Sequence, residues 1–142
     1  MDVECRIIPS LLSERVLRYA CFPMTTWDKH TEDQRRICDK YSIRWTESRI
    51  DLFIGLADNV LTGMNPVNGL RQPECDTTTG WYIWAGEEFS QAEDFFKPYH
   101  VSHLLTLRPN VIKYLGLPAG FRFLMDDKGY EDVWEDVELL KI

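Results

Sequence analysis

The chain has no apolar run long enough to span a bilayer, so a membrane-crossing helix is not expected. It has no Gly-x-Gly-x-x-Gly turn, no Walker loop and no Gly-x-Ser-x-Gly elbow, which removes the standard signatures of dinucleotide, phosphate and serine-hydrolase sites. Basic residues are also in deficit: 16 Lys and Arg face 23 Asp and Glu, a net charge of −7 over 142 residues. That balance repels phosphate backbones, so nucleic acid is not an expected partner. The four cysteines, Cys5, Cys21, Cys38 and Cys75, form no C-x-x-C pair and no zinc-finger spacing. The start of the chain, from Met1 to Arg6, has neither a basic cluster nor an apolar core of signal-peptide type. Free thiols in a cytoplasmic protein are the resulting expectation.

What the chain does have is apolar and aromatic content. Hydrophobic residues make up 44% and aromatic residues 13%, enough area to offset chain ordering in one α+β domain over 1–142. The acidity is uneven, because residues 126–142 hold seven of the acids and only two of the bases. There it alternates with Tyr130, Val133, Trp134, Val137, Leu139 and Leu140, a pattern of folded structure with an acidic outer face rather than of a disordered tail.

Local signals divide the chain into a helical N-terminal part, 1–41, and a sheet-and-helix part, 42–142. Ser10 would cap a helix from Leu11 to Cys21, and Thr31 with Gln34 fits a capping box opening a helix to about Tyr41. Ser42–Trp45 and Ile50–Leu56 favour strands, the second being open also to a buried helix segment. Residues 63–80 are rich in turn formers and read as one long irregular excursion, either a contact loop or a mobile surface segment. Trp81–Ala85 is a strand with Trp81 and Ile83 on one face and Tyr82 and Trp84 on the other. Residues 87–96 read as a turn or short helix. Pro109 would open a helix over 110–115, and Gly116 and Pro118 end it. Phe121–Met125 and Tyr130–Trp134 form a hairpin about Asp126-Asp127-Lys128-Gly129, followed by a short helix near 136–140. The expectation is an antiparallel sheet with helices on one side and an N-terminal helical extension.

Chemistry-bearing constellations are sparse. His100 and His103 are the best metal candidates, but a zinc site needs three or four ligands and Val101 and Ser102 between them supply none. Local hydrogen bonding near a helix start is the simpler role, and no metal or other cofactor is expected. Paired acids at Glu87-Glu88, Glu93-Asp94 and Asp126-Asp127 could divide acid and base roles only if burial drove their pKa values apart. Otherwise they form a solvated face.

The run Thr79-Gly80-Trp81-Tyr82-Ile83-Trp84-Ala85-Gly86-Glu87-Glu88, then Pro109, Tyr114-Leu115, Gly120-Phe121-Arg122-Phe123 and Val133-Trp134, resembles immunity family 33 of bacterial polymorphic-toxin systems. The likeness covers roughly residues 42–140 and is most specific over 76–136. Asp76 is followed here by Thr77-Thr78-Thr79 where the family pattern has Asp-Ser before Gly-Trp. The resemblance implies a small cytoplasmic protein, monomeric or homodimeric, without catalysis of its own. It would bind and neutralise a cognate toxin delivered by, for example, a type VI or contact-dependent route. An acidic, ring-bearing surface suits a basic toxin cleft, with charge speeding encounter and buried rings supplying affinity. Glu87, Glu88, Asp126, Asp127, Glu131, Asp132, Glu135 and Asp136 are the expected negative partner-binding residues, with Trp84 and Tyr130 as aromatic anchors if exposed. Two other classes compete. One is a small-molecule or peptide-binding regulatory domain whose pocket is lined by Trp81, Trp84, Phe121 and Trp134; the other is a hydrolase using His100 or His103.

Overall fold

The computed structural model describes residues 26–87, 90 and 92–141. The expected helix over 11–21, together with Cys5, Cys21 and Glu88, lies outside the described residues. In chain order the elements are α1 (Thr26–Lys40), β1 (Phe53–Ala57), a 3₁₀ helix (Asp58–Thr62), β2 (Val67–Arg71), β3 (Thr78–Ala85) and β4 (Phe96–His100). They continue with a 3₁₀ turn (Val101–His103), α2 (Leu104–Leu107), a 3₁₀ helix (Pro109–Tyr114), β5 (Phe121–Met125), β6 (Glu131–Glu135) and a closing 3₁₀ helix (Val137–Lys141). The strands form a six-stranded sheet in the order β4-β1-β3-β2-β5-β6. The α+β expectation is borne out. The sheet is mixed rather than purely antiparallel, because β1 and β3 run parallel while the other four pairings are antiparallel.

Strand alternation sorts the side chains into two layers. On one face Ile54, Leu56, Trp81, Ile83, Phe123, Met125 and Val133 meet Ile37 and Cys38 of α1 and Val111, Ile112 and Tyr114 of the Pro109 helix. Trp81 is completely buried. Its indole N–H donates to Ser48 Oγ at 3.0 Å, and Ser48 donates in turn to the Leu115 carbonyl at 2.6 Å. On the opposite face Ala57, Leu70 and Trp84 pack with Leu139 of the closing helix and with Tyr82, Phe95 and Phe96. The two-faced reading of Trp81–Ala85 therefore holds.

Helix α1 is already formed at Thr26, five residues before the expected cap, and Trp27 packs on the main core. Thr31 consequently lies inside the helix. Gln34 is buried, donating to the Ile112 carbonyl at 3.2 Å and accepting from Trp45 Nε1 at 3.0 Å. The helix ends on Ser42, whose φ of 58° is left-handed. Its amide donates to Asp39 and the Ile43 amide donates back to Cys38, the paired bonds of a Schellman ending. That reversal takes up the segment 42–45, which is irregular and not the expected strand.

The largest correction falls in 63–80. Instead of one irregular excursion, the segment contains β2 and the start of β3, both within the sheet interior. Gly69 makes β2 look like a turn in the sequence, yet the ring of Phe123 from β5 occupies the space a Cβ would need. Gly69→Ala is therefore expected to displace that ring and cost about 2 kcal/mol, read as a lower urea midpoint at unchanged slope. Strand β4 was not anticipated either, because Pro98 argues against a strand; it is tolerated since β4 is a sheet edge. Cys38 and Cys75 are free thiols, one buried and one exposed.

Candidate partner-binding surface

The acidic C-terminal hairpin splits into two functional groups once its contacts are known. Asp126 shapes the β5–β6 turn, accepting from the Lys128 amide at 2.8 Å and the Tyr130 amide at 3.0 Å. Asp127 accepts from Asn65 Nδ2 at 3.0 Å, Asn110 Nδ2 at 3.2 Å and Arg108 at 3.4 Å. These donors, Asn65 foremost, hold its carboxyl below the usual range. Arg108 is buried and also donates to the Val60 carbonyl at 2.9 Å, so this cluster fastens the turn to the loop before β2. Asp136 pairs with Arg122 at 3.1 Å and accepts the Glu138 amide at 3.2 Å, capping the final 3₁₀ helix.

Glu131 is the most committed of these acids. One carboxylate oxygen accepts from Lys40 Nζ and from Tyr41 Oη, each at 2.7 Å, and the other accepts from Tyr114 Oη at 2.7 Å. Burial opposes ionisation there, but the three donors outweigh it and depress the carboxyl to about 2. Burial and the same carboxylate push the Tyr41 and Tyr114 hydroxyls up. Glu131 thus joins β6 to α1 and to the Pro109 helix.

The remaining expected residues separate cleanly. Asp132, Glu135 and Glu87 are exposed, and among the described residues none of them has an ion-pair partner. Tyr130 is 52% exposed. Trp84, expected to serve as an anchor if exposed, is only 4% exposed. Its ring lies in the second apolar layer, edge-on to Phe96 at 6.2 Å, so the fold itself consumes it. Trp134, which the pocket hypothesis had placed inside, is 38% exposed instead. The signal was present in the alternation of β6: with Val133 in the main core, Trp134 must face the other way. It sits opposite Arg122, whose guanidinium carbon is 5.7 Å from its ring centroid. The exposed surface along β6 is therefore Tyr130, Asp132, Trp134 and Glu135, with Val137 and Leu140 exposed beyond it.

The competing pocket does not assemble. Trp81 belongs to the main core and Trp84 to the opposite layer, so the two rings cannot line one pocket. His103 Nδ1 accepts the His100 backbone N–H at 3.1 Å, the local role expected beside a helix start. Among the described residues no three His, Cys, Asp or Glu side chains group to hold a metal, and no helix is long and apolar enough to cross a membrane.

The structure is thus a mixed sheet with α1 and the Pro109 helix on one face and the closing 3₁₀ helix on the other, presenting an acidic edge strand with exposed rings. The chain belongs to the Imm33-like family, immunity protein 33-like, whose domain matches residues 33–136. No curated protein and no solved structure matches it. The match takes in α1 from Asp33, every strand and the hairpin that carries the exposed acids. Proteins of this family are generally non-enzymatic and have a protein toxin as partner.

Proposed function

We propose that this chain is a cytoplasmic immunity protein that neutralises a cognate bacterial toxin, of the type VI or contact-dependent kind, by covering its active site. The observation that carries the reading is the family match over 33–136, which includes the whole acidic hairpin. Toxin domains acting on nucleic acids or nucleotides need basic clefts, and Asp132 and Glu135, without ion-pair partners among the described residues, offer negative charge beside the exposed rings of Tyr130 and Trp134. Charge of this kind mainly sets the rate of encounter, while desolvated aromatic rings slow dissociation. Glu131, Asp127 and Asp136 support this surface from behind.

The double reversal Asp132→Lys with Glu135→Lys is expected to slow association with a toxin domain that co-purifies with the wild-type chain by roughly tenfold at low salt and to flatten its ionic-strength dependence. Stopped-flow or surface-binding kinetics over a salt series measure it. Wild-type association rates in the double variant would remove this surface from the reading. Co-expression of toxin and chain, scored by growth, tests neutralisation itself.

A further inference from the structure

The sheet has two edges, and they differ. At the β4 edge, the Val101 amide bonds to the Leu52 carbonyl, and the register pairs Phe53 with His100 and Gly55 with Pro98. Alternation of bonded and non-bonded pairs then turns the backbone groups of Phe96, Pro98 and His100 outward. Pro98 has no N–H to offer, and the His100 N–H is already taken by His103 Nδ1. That edge is closed to a further strand at two of its outward positions. At the β6 edge, the Asp136 amide bonds to the Gly120 carbonyl and the Asp126 amide to the Tyr130 carbonyl. The same alternation turns the backbone N–H and C=O groups of Glu131, Val133 and Glu135 outward. Among the described residues none of these outward groups has a hydrogen-bond partner, and β6 contains no proline.

We infer that β6 is the place where the sheet is extended, and that its occupant is a strand-forming segment of the toxin carrying Lys or Arg on both faces and an apolar residue beside Trp134. This rests on the immunity reading and names the surface and the partner chemistry. An added strand satisfies the outward groups of Glu131, Val133 and Glu135. Its cationic side chains meet Asp132 on the Trp134 side of the sheet and Glu135 on the helix side, both exposed and without ion-pair partners among the described residues. A second copy of this chain is the wrong occupant. A two-fold antiparallel pairing about Val133 sets Glu135 against Glu131 of the other copy, twice, and that second acid, already held by Lys40, Tyr41 and Tyr114, gives Glu135 no cation to meet. The acids thus guard the edge against self-association while leaving it open to a basic strand.

Two arms test this. In the first, amide hydrogen exchange is followed for the full chain with an eight-residue peptide alternating lysine and valine, and with one alternating glutamate and valine. The lysine peptide is expected to slow exchange at Glu131, Val133 and Glu135 by at least roughly tenfold, and the glutamate peptide to leave them unchanged. Equal protection by both peptides, or by neither, overturns the inference. So does concentration-dependent protection in the chain alone, which would make a second copy the occupant.

In the second arm, Glu135→Pro removes one outward N–H at the exposed end of β6, and the Asp132→Lys with Glu135→Lys variant keeps the backbone intact. Each is expected to weaken binding of a toxin domain that co-purifies with the wild-type chain by roughly 30-fold, with circular dichroism unchanged. If wild type protects cells and both variants protect equally, the edge is wrong and the immunity reading stands. If wild type itself gives no protection, the immunity reading falls and takes the toxin strand with it.

Discussion

Arg71→Met lowers the unfolding free energy by about 4 kcal/mol, with a fall in melting temperature on the order of 10 °C. Arg71 is 1% exposed at the end of β2, and its partners are mostly backbone. Nε donates to the Thr79 carbonyl at 2.8 Å; one terminal nitrogen donates to Leu117 at 2.8 Å and Thr46 at 3.3 Å; the other donates to Glu47 at 3.0 Å. A single carboxylate, the half-exposed Glu74, completes the set at 3.3 Å. One planar fork thereby ties β2 and β3 to the segment after α1 and to the turn before β5. Burial pulls the guanidinium down to about 10, so it still carries its charge at neutral pH. Methionine matches the stem but leaves several buried carbonyls without donors, each a desolvation penalty. Lysine fails as well, since a single ammonium cannot span carbonyls on three segments. Denaturant unfolding of wild type, Arg71→Met and Arg71→Lys checks this; a midpoint within error of wild type for either variant contradicts it.

Glu131→Gln removes an acid-dependent share of stability. The carboxyl lies at about 2 in the fold against an ordinary 4.5, so the folded state holds the ionised form more tightly than the unfolded chain does. For a depressed acid the contribution is fully present above the ordinary value and disappears as pH falls from 4.5 through 2. Its size is about 3 kcal/mol. The variant is therefore expected to be less stable than wild type at pH 7 and to converge with it near pH 2. Urea unfolding at pH 7, 4 and 2 measures the gap. Lys40→Met, which removes one of the three donors, should produce a smaller gap over the same window. A pH-independent difference would assign Glu131 a packing role instead.

Both residues show where sequence reasoning stops. The hairpin β5–β6, strand β3 and the proline-led helix were legible because each carries its own signal: alternation for the strands, Pro109 and Gly116 at the helix ends. The α+β class followed from those elements and from the aromatic content. Strand β2 was not legible, since Asn68 and Gly69 are weak strand formers locally; they are accommodated because Phe123 fills the space over Gly69 and both neighbours are already strands. Strand β4 was hidden by Pro98, whose cost vanishes only at an edge. A parallel β1–β3 pairing leaves no short-range mark, because its partners are separated by the whole of β2.

The same division runs through the surface. The chain's order of residues alone determined that residues 126–142 are strongly acidic, that apolar and aromatic residues alternate with those acids, and that a hairpin begins the segment. Only tertiary contacts decided which acids remain available to a partner. Glu131, Asp127 and Asp136 meet donors brought from residues 40, 41, 65, 108, 110, 114 and 122, while Asp132 and Glu135 meet none among the described residues. Like acids along one strand have the same formal charge, but whether that charge is neutralised depends on cations and hydroxyls that reach it from segments tens of residues away.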